Sequence, residues 1–210
     1  MMAAMTRPLR RLVQLYAGLA LYGGSLALMI RAGLGLDPWD VFHQGVADRA
    51  GLSFGTIVIV TGAAVLLAWV PLRQRPGIGT VSNVVVIGLA VDAALLVVPA
   101  AGPLPAQLAM LTAGIVLNGV AGAAYIGAGL GPGPRDGLMT GLVRVTGGSV
   151  RVIRTGIELF VLAAGFALGG TVGLGTVAYA LAIGPLLHAL LPPLTVGDPP
   201  PVMRPEPVTP

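Results

Sequence analysis

Apolar residues gather into six long runs, separated by short breaks rich in Gly, Pro and charge. The runs are Leu12 to Ile30, Phe54 to Val70, Val81 to Val98, Gln107 to Ile126, Val152 to Leu168 and Thr176 to Leu191. A helix needs about twenty residues to cross about 30 Å of hydrocarbon. The pattern therefore predicts six transmembrane helices. Two further segments, 37–51 and 133–147, are more polar, and at 1.5 Å per residue each reaches only about 20 Å. Both open on a turn rich in Gly and Pro. Asp37 suits an N-cap, Pro38 and Pro134 suit the first helical position, and Asp40 and Asp136 fall in the first turn. Each segment is thus predicted as a short helix.

The two turns are versions of one motif. AGLGLDPWDVF, from Ala32 to Phe42, and AGLGPGPRDGL, from Ala128 to Leu138, stand 96 residues apart. The same offset pairs Gly18 with Gly114, Gly23 with Gly119, Asp40 with Asp136, Gly45 with Gly141 and Ser53 with Ser149. It also lays GIGTV at Gly77 onto GLGTV at Gly173. Apolar matches are cheap in such a sequence, but Gly, Pro, Asp and Ser in register over a whole unit indicate an internal duplication. Each unit holds three spans, an odd number, so the second enters the bilayer from the opposite side. The expected fold is all-α, a polytopic membrane bundle of six spans arranged as a 3+3 inverted repeat. Its parts are a basic N-terminus (1–11), repeat one (12–100, with short helix 37–51), repeat two (101–192, with short helix 133–147) and a flexible Pro-rich tail (193–210).

Composition agrees. Apolar residues make up 55% and charged residues 10% of the 210, against about a quarter charged in soluble domains, and the mean hydropathy is +0.90. Membrane lipids are the expected surroundings. With no cysteine and two histidines, no metal site or cofactor is expected. The twelve basic residues are all Arg, scattered at the ends of apolar runs, which is a topology signal and not a nucleic-acid patch. With the N-terminus inside, Arg7, Arg10, Arg11, Arg73, Arg75, Arg135, Arg144, Arg151 and Arg154 lie in or beside cytoplasmic segments. Both termini are then cytoplasmic.

The pairing of GLGLDPWDVF with GLGPGPRDGL, the turns before GIGTV and GLGTV, and RTGIEL in the fifth span resemble the YczE/YitT-like family of bacterial integral membrane proteins. The resemblance extends to about Pro192. It implies a multi-pass protein of the bacterial plasma membrane and supplies no catalytic residues.

Two placements fit the short helices. They lie on the surface with Trp39 at the headgroups, or they are re-entrant, with their turns approaching the midplane from opposite faces. In the second case Gly33, Gly35, Pro38, Asp40, Gly129, Gly131, Pro134 and Asp136 line a path for a small polar solute. Glu158 and Arg154 add to it, because intramembrane charge is by default functional. They stand at i and i+4, the spacing of a structural ion pair. Asp92 and His188, again 96 apart, are candidates for proton coupling. The expected function is a small-solute permease or channel-like transporter and not an enzyme. The competing expectation is a regulator or assembly partner acting through the cytoplasmic segment from Arg135 to Arg151.

Overall fold

The computed structural model describes residues 7–196. Among these the chain is entirely helical and irregular, with eight helices: α1 (Arg7–Ala32), α2 (Pro38–Ala50), α3 (Phe54–Trp69), α4 (Ile78–Val97), α5 (Leu104–Gly127), α6 (Pro134–Thr146), α7 (Val150–Ala167) and α8 (Leu174–Leu194). Every apolar run is a helix, and both motif turns lead into a short one. By length and apolarity α1, α4, α5 and α8 suffice to cross a membrane. The other two expected spans fall short of twenty residues: α3 has 16, and α7 has 18 and carries Arg151, Arg154 and Glu158. α2 and α3 qualify only together, bent by 115° at the break between them.

The tail boundary also moves. α8 continues through Pro192 and Pro193 to Leu194, where Gln14 Nε2 donates to the Leu194 carbonyl (2.6 Å) and the Val196 N–H donates to the Gly127 carbonyl (2.9 Å). The rest of the expected tail, 197–210, lies outside the described residues, as does 1–6 of the basic N-terminus.

The two short helices start and stop for local reasons. Asp37 caps α2 by accepting from the Asp40 N–H at 2.9 Å, Pro38 occupies the first position, and Gly51 ends the helix in the left-handed region at φ 65°. α6 has Gly133 at the cap, so no side chain takes that N–H, but Pro134 again follows and Gly147 again terminates, at φ 67°. Such ends are what Asp/Pro starts and Gly stops produce.

At the centre α1 and α5 run antiparallel. Arg11 near the start of α1 donates to the carbonyls of Ala128 and Gly129 just past the end of α5, at 2.6 and 2.7 Å. At the opposite end Gly114 of α5 sits against Met29 and the Ser25 carbonyl of α1. Leu15, Leu19, Leu26, Met29, Leu111 and Ile115 are buried there. One polar chain crosses this core: Asn118 Nδ2 donates to Ser25 Oγ and Tyr179 Oη donates to Asn118 Oδ1, both at 2.9 Å. Such interhelical bonds suit an interior without water. By contrast Leu67, Leu96, Phe160, Phe166 and Leu181 face outward uncovered. In a soluble protein so much exposed apolar surface would be a liability, whereas toward acyl chains it is the expected exterior.

The turns cross over. In the first, the Leu34 carbonyl accepts from the Gly175 N–H at 2.7 Å, seating the turn on the start of α8; in the second, the Leu130 carbonyl accepts from the Gly79 N–H at 2.8 Å, seating it on the start of α4. Gly35 and Gly131 hold φ values of 107° and 132°. A Cβ at Gly35 would lie 2.6 Å from the Gly173 nitrogen, and one at Gly131 would lie 2.7 Å from Thr80 Oγ1. Only glycine meets both the backbone angle and the close approach.

α3 and α7 differ in how they are held. α3 lies along α4, with Gly55 against Gly88 and Gly62 against Val84. α7 instead leans on α2 and α6 and makes little contact with α8. The positions 96 residues beyond Gly55, Val58 and Gly62 hold Arg151, Arg154 and Glu158, so the glycine fit that closes α3 on α4 is absent from α7.

Candidate functional site

The gap between α7 and α8 continues inward as a cavity of about 340 Å3. Its wall takes Asp37, Pro38 and Trp39 from the start of α2 and Gly133 to Asp136 from the start of α6. Arg154 and Glu158 of α7, Tyr22, Asn83, Asn118, Tyr125 and Tyr179 complete its polar lining. The two helix starts, distant in sequence, thus meet at one space. Volume and lining are those of a small-molecule site: mostly apolar, with a few converging polar groups.

Arg135 ties the two starts together. Its guanidinium donates to Asp37 Oδ2 at 3.5 Å and to Tyr22 Oη at 3.3 Å, and lies over the Trp39 ring, 5.6 Å from the centroid. Trp39 and Arg135 occupy matching positions in the two motifs, so the residues that break the motif's likeness are stacked on one another. Asp37 is 1% exposed. A carboxylate so buried requires a counter-charge, and Arg135 is the one it has. Behind this pair Asp40 Oδ1 shares a hydrogen bond with His43 Nδ1 at 3.1 Å, while Asp40 Oδ2 and Trp39 Nε1 are buried without a partner. Asp40, His43 and Arg135 also border a second cavity, of about 50 Å3.

The expected site residues therefore separate. Pro38, Pro134, Asp136, Arg154 and Glu158 line the main cavity, and Asp40 lines the smaller one. Gly33, Gly35, Gly129 and Gly131 shape the turns behind it and do not border either space. Arg154 and Glu158 share the cavity wall but form no ion pair within 4.0 Å; among the described residues the ion pair is Arg135 with Asp37, and the Asp40–His43 contact is a hydrogen bond. The structural pair expected from their spacing is thus corrected. Long side chains one turn apart lose little by separating when the cavity lets water reach both.

Asp92 and His188 are not brought together. Asp92 accepts from Ser53 Oγ at 2.5 Å and from the Gly55 N–H at 2.7 Å, capping the start of α3 from the neighbouring helix. His188 is exposed on α8. Asp92→Ala is expected to lower stability by about 2 kcal/mol through loss of the two bonds, measured as thermal unfolding in detergent, while the pH dependence of any uptake stays unchanged.

Sequence reasoning placed Arg135 among the cytoplasmic charges and passed over Asp37, Tyr22, His43, Tyr125 and Tyr179 as site residues. The available signal was the motif itself, where an Arg stands in one copy at the place of a Trp in the other. The expected partner-binding segment from Arg135 is likewise an ordered helix: Gly137 lies against Trp69, and Arg144 donates to the Leu72 carbonyl.

Comparison with known proteins places the chain. Residues 9–192 match a family of unknown function, DUF6198. An uncharacterized protein of Haemophilus influenzae is 37% identical over 173 residues, 82% of this chain and 79% of that one. The uncharacterized membrane protein YczE of Bacillus subtilis is 35% identical over 179 residues, 84% of this chain and 83% of its own. A second B. subtilis protein, YyaS, also uncharacterized, is 25% identical over 179 residues, covering 83% and 89%. No solved structure matches. Apolar helices of spanning length, the buried ionic centre and these relatives lead to one statement: the chain is an integral membrane protein that belongs to the DUF6198 family, the YczE-like membrane proteins.

Proposed function

We propose that the chain is a 3+3 inverted-repeat permease for a small polar solute, held in the bacterial plasma membrane with both termini in the cytoplasm. The observation that carries this reading is the meeting of the α2 and α6 starts at one charged cavity. Discontinuous helices whose N-termini face each other near the pseudo-axis are the usual binding arrangement in inverted-repeat transporters. The antiparallel α1 and α5, and the crossed seating of Leu34 on Gly175 and of Leu130 on Gly79, support the repeat.

The smaller cavity supports it further. Leu26, His43, Val58, Gly62 and Val84 line it, and they stand 96 residues before Gly122, Met139, Arg154, Glu158 and Ala180 of the larger one. The two spaces are thus counterparts on opposite sides of the Trp39–Arg135 stack, one large and one small. With the N-terminus inside, the large one faces the cytoplasm, because it is bounded by the end of α5 and the start of α7. A permease needs access on both sides in turn, and this pair of spaces supplies the two vestibules.

Because the chain has no cysteine, single cysteines report access without background. Ile157→Cys in the large cavity is expected to react with a membrane-impermeant maleimide from the cytoplasmic side. Thr61→Cys, its counterpart in the small one, is expected to react only from outside and only in a minor fraction of molecules. If Ile157→Cys is unreactive from either side, or if uptake into proteoliposomes is the same in Asp136→Asn and Glu158→Gln as in the parent, the permease reading fails and a regulatory role gains.

A further inference from the structure

We infer that the cavity selects a small organic cation, an amine that also carries a hydrogen-bond acceptor; this rests on the permease reading above. The charges on its wall decide the sign. Arg135 is taken by Asp37, Tyr22 and the Trp39 face, so that pair is neutral as a unit. Arg154 is exposed, where water satisfies its charge. Asp136 and Glu158 remain: both are partly buried, both border the cavity, and neither takes part in an ion pair. Counting Asp37, Asp136 and Glu158 against Arg135 and Arg154, the lining carries one excess negative charge. A solute with a single positive charge removes that excess, whereas an anion adds to it. A partly buried carboxylate gains more from an opposite charge brought into contact than one in bulk water does.

Size and wall chemistry narrow the class. About 340 Å3 is far more than a bare metal ion needs and suits a small organic molecule. Trp39, Tyr22, Tyr125 and Tyr179 all border the space, and aromatic faces attract ammonium groups. The buried Trp39 Nε1–H makes no hydrogen bond of good geometry; Glu158 is the acceptor within its reach, and a hydroxyl or carbonyl on the same solute is another. A lone indole donor in a closed wall is costly unless something accepts from it.

The test uses four probes of similar size: 3-aminopropanol, β-alanine, 3-hydroxypropionate and 1,3-propanediol. They are titrated against the purified full-length chain in detergent, with Trp69→Phe introduced so that Trp39 is the fluorophore. 3-Aminopropanol is expected to change Trp39 emission saturably and to raise the unfolding temperature. Asp136→Asn and Glu158→Gln should each weaken it about tenfold. Arg154→Gln should tighten it, an outcome that loss of fold cannot imitate. Saturable binding of β-alanine, 3-hydroxypropionate or the diol in place of the amine overturns the cation assignment but leaves the permease reading standing. No saturable binding by any probe overturns the assignment, and together with an unreactive Ile157→Cys it removes the permease reading too.

Discussion

Gly137→Val is expected to abolish accumulation of folded protein in the membrane, and Gly137→Val with Trp69→Gly to restore most of it. Gly137 of α6 meets the Trp69 ring at the end of α3, and the ring is 1% exposed and fixed by donation from Nε1 to the Pro134 carbonyl at 3.1 Å. It has nowhere to move. A β-branched side chain there is overpacked against a pinned aromatic, at a cost of about 3 kcal/mol or more. The rescue follows from the counterpart contact, where the Val41–Phe42 backbone of α2 lies directly on Gly165 of α7 with the Val41 side chain beside Gly170. Gly137 corresponds to Val41 and Trp69 to Gly165 at the common offset of 96, so the double variant rebuilds in one half the fit the other half already uses. Detergent-extracted yield and size-exclusion profile measure it. A single variant that accumulates like the parent would show that the α3 to α6 contact does not hold the bundle.

Arg135→Gln is expected to destabilise the protein by about 3–5 kcal/mol, because it leaves the buried Asp37 carboxylate without a counter-charge. Adding Asp37→Asn should recover most of the loss, since asparagine caps a helix nearly as well as aspartate and carries no charge to compensate. The recovery separates the charge effect from loss of the stack on Trp39, which the double variant does not repair. Chemical unfolding of the three variants, followed by Trp69 emission, gives the cycle. If Asp37→Asn rescues nothing, the ion pair is not what joins the two helix starts.

Much of this architecture was legible in the chain. The Asp37-Pro38 and Gly133-Pro134 starts, the Gly51 and Gly147 stops and the apolar runs all act through neighbours in sequence, so local chemistry was enough to place all eight helices. The 96-residue offset anticipated which turns correspond. What it did not anticipate was span length, because α3 ends against α6 and α7 ends against α2.

The site was half legible. Asp136, Arg154 and Glu158 stood out because charge in an apolar run is conspicuous. Arg135 did not, because an arginine beside a Gly/Pro turn near a membrane face reads as an ordinary cytoplasmic charge; its meaning lies in Asp37, 98 residues away. The capping role of Asp92 was hidden for the same reason: its partners Ser53 and Gly55 are 39 and 37 residues distant, and capping another helix leaves no mark in sequence.

By itself, then, the sequence determined the helices and their punctuation, since hydropathy, caps and glycine turns operate over a few residues, and its 96-residue offset pointed to the repeat proposed above. The tertiary structure alone decided which charges pair, which stay unpaired and which of the two spaces is large. Those depend on distances across the bundle, where Gly55 lets α3 close on α4 while α7, with Arg151 at the matching place, makes little contact with α8.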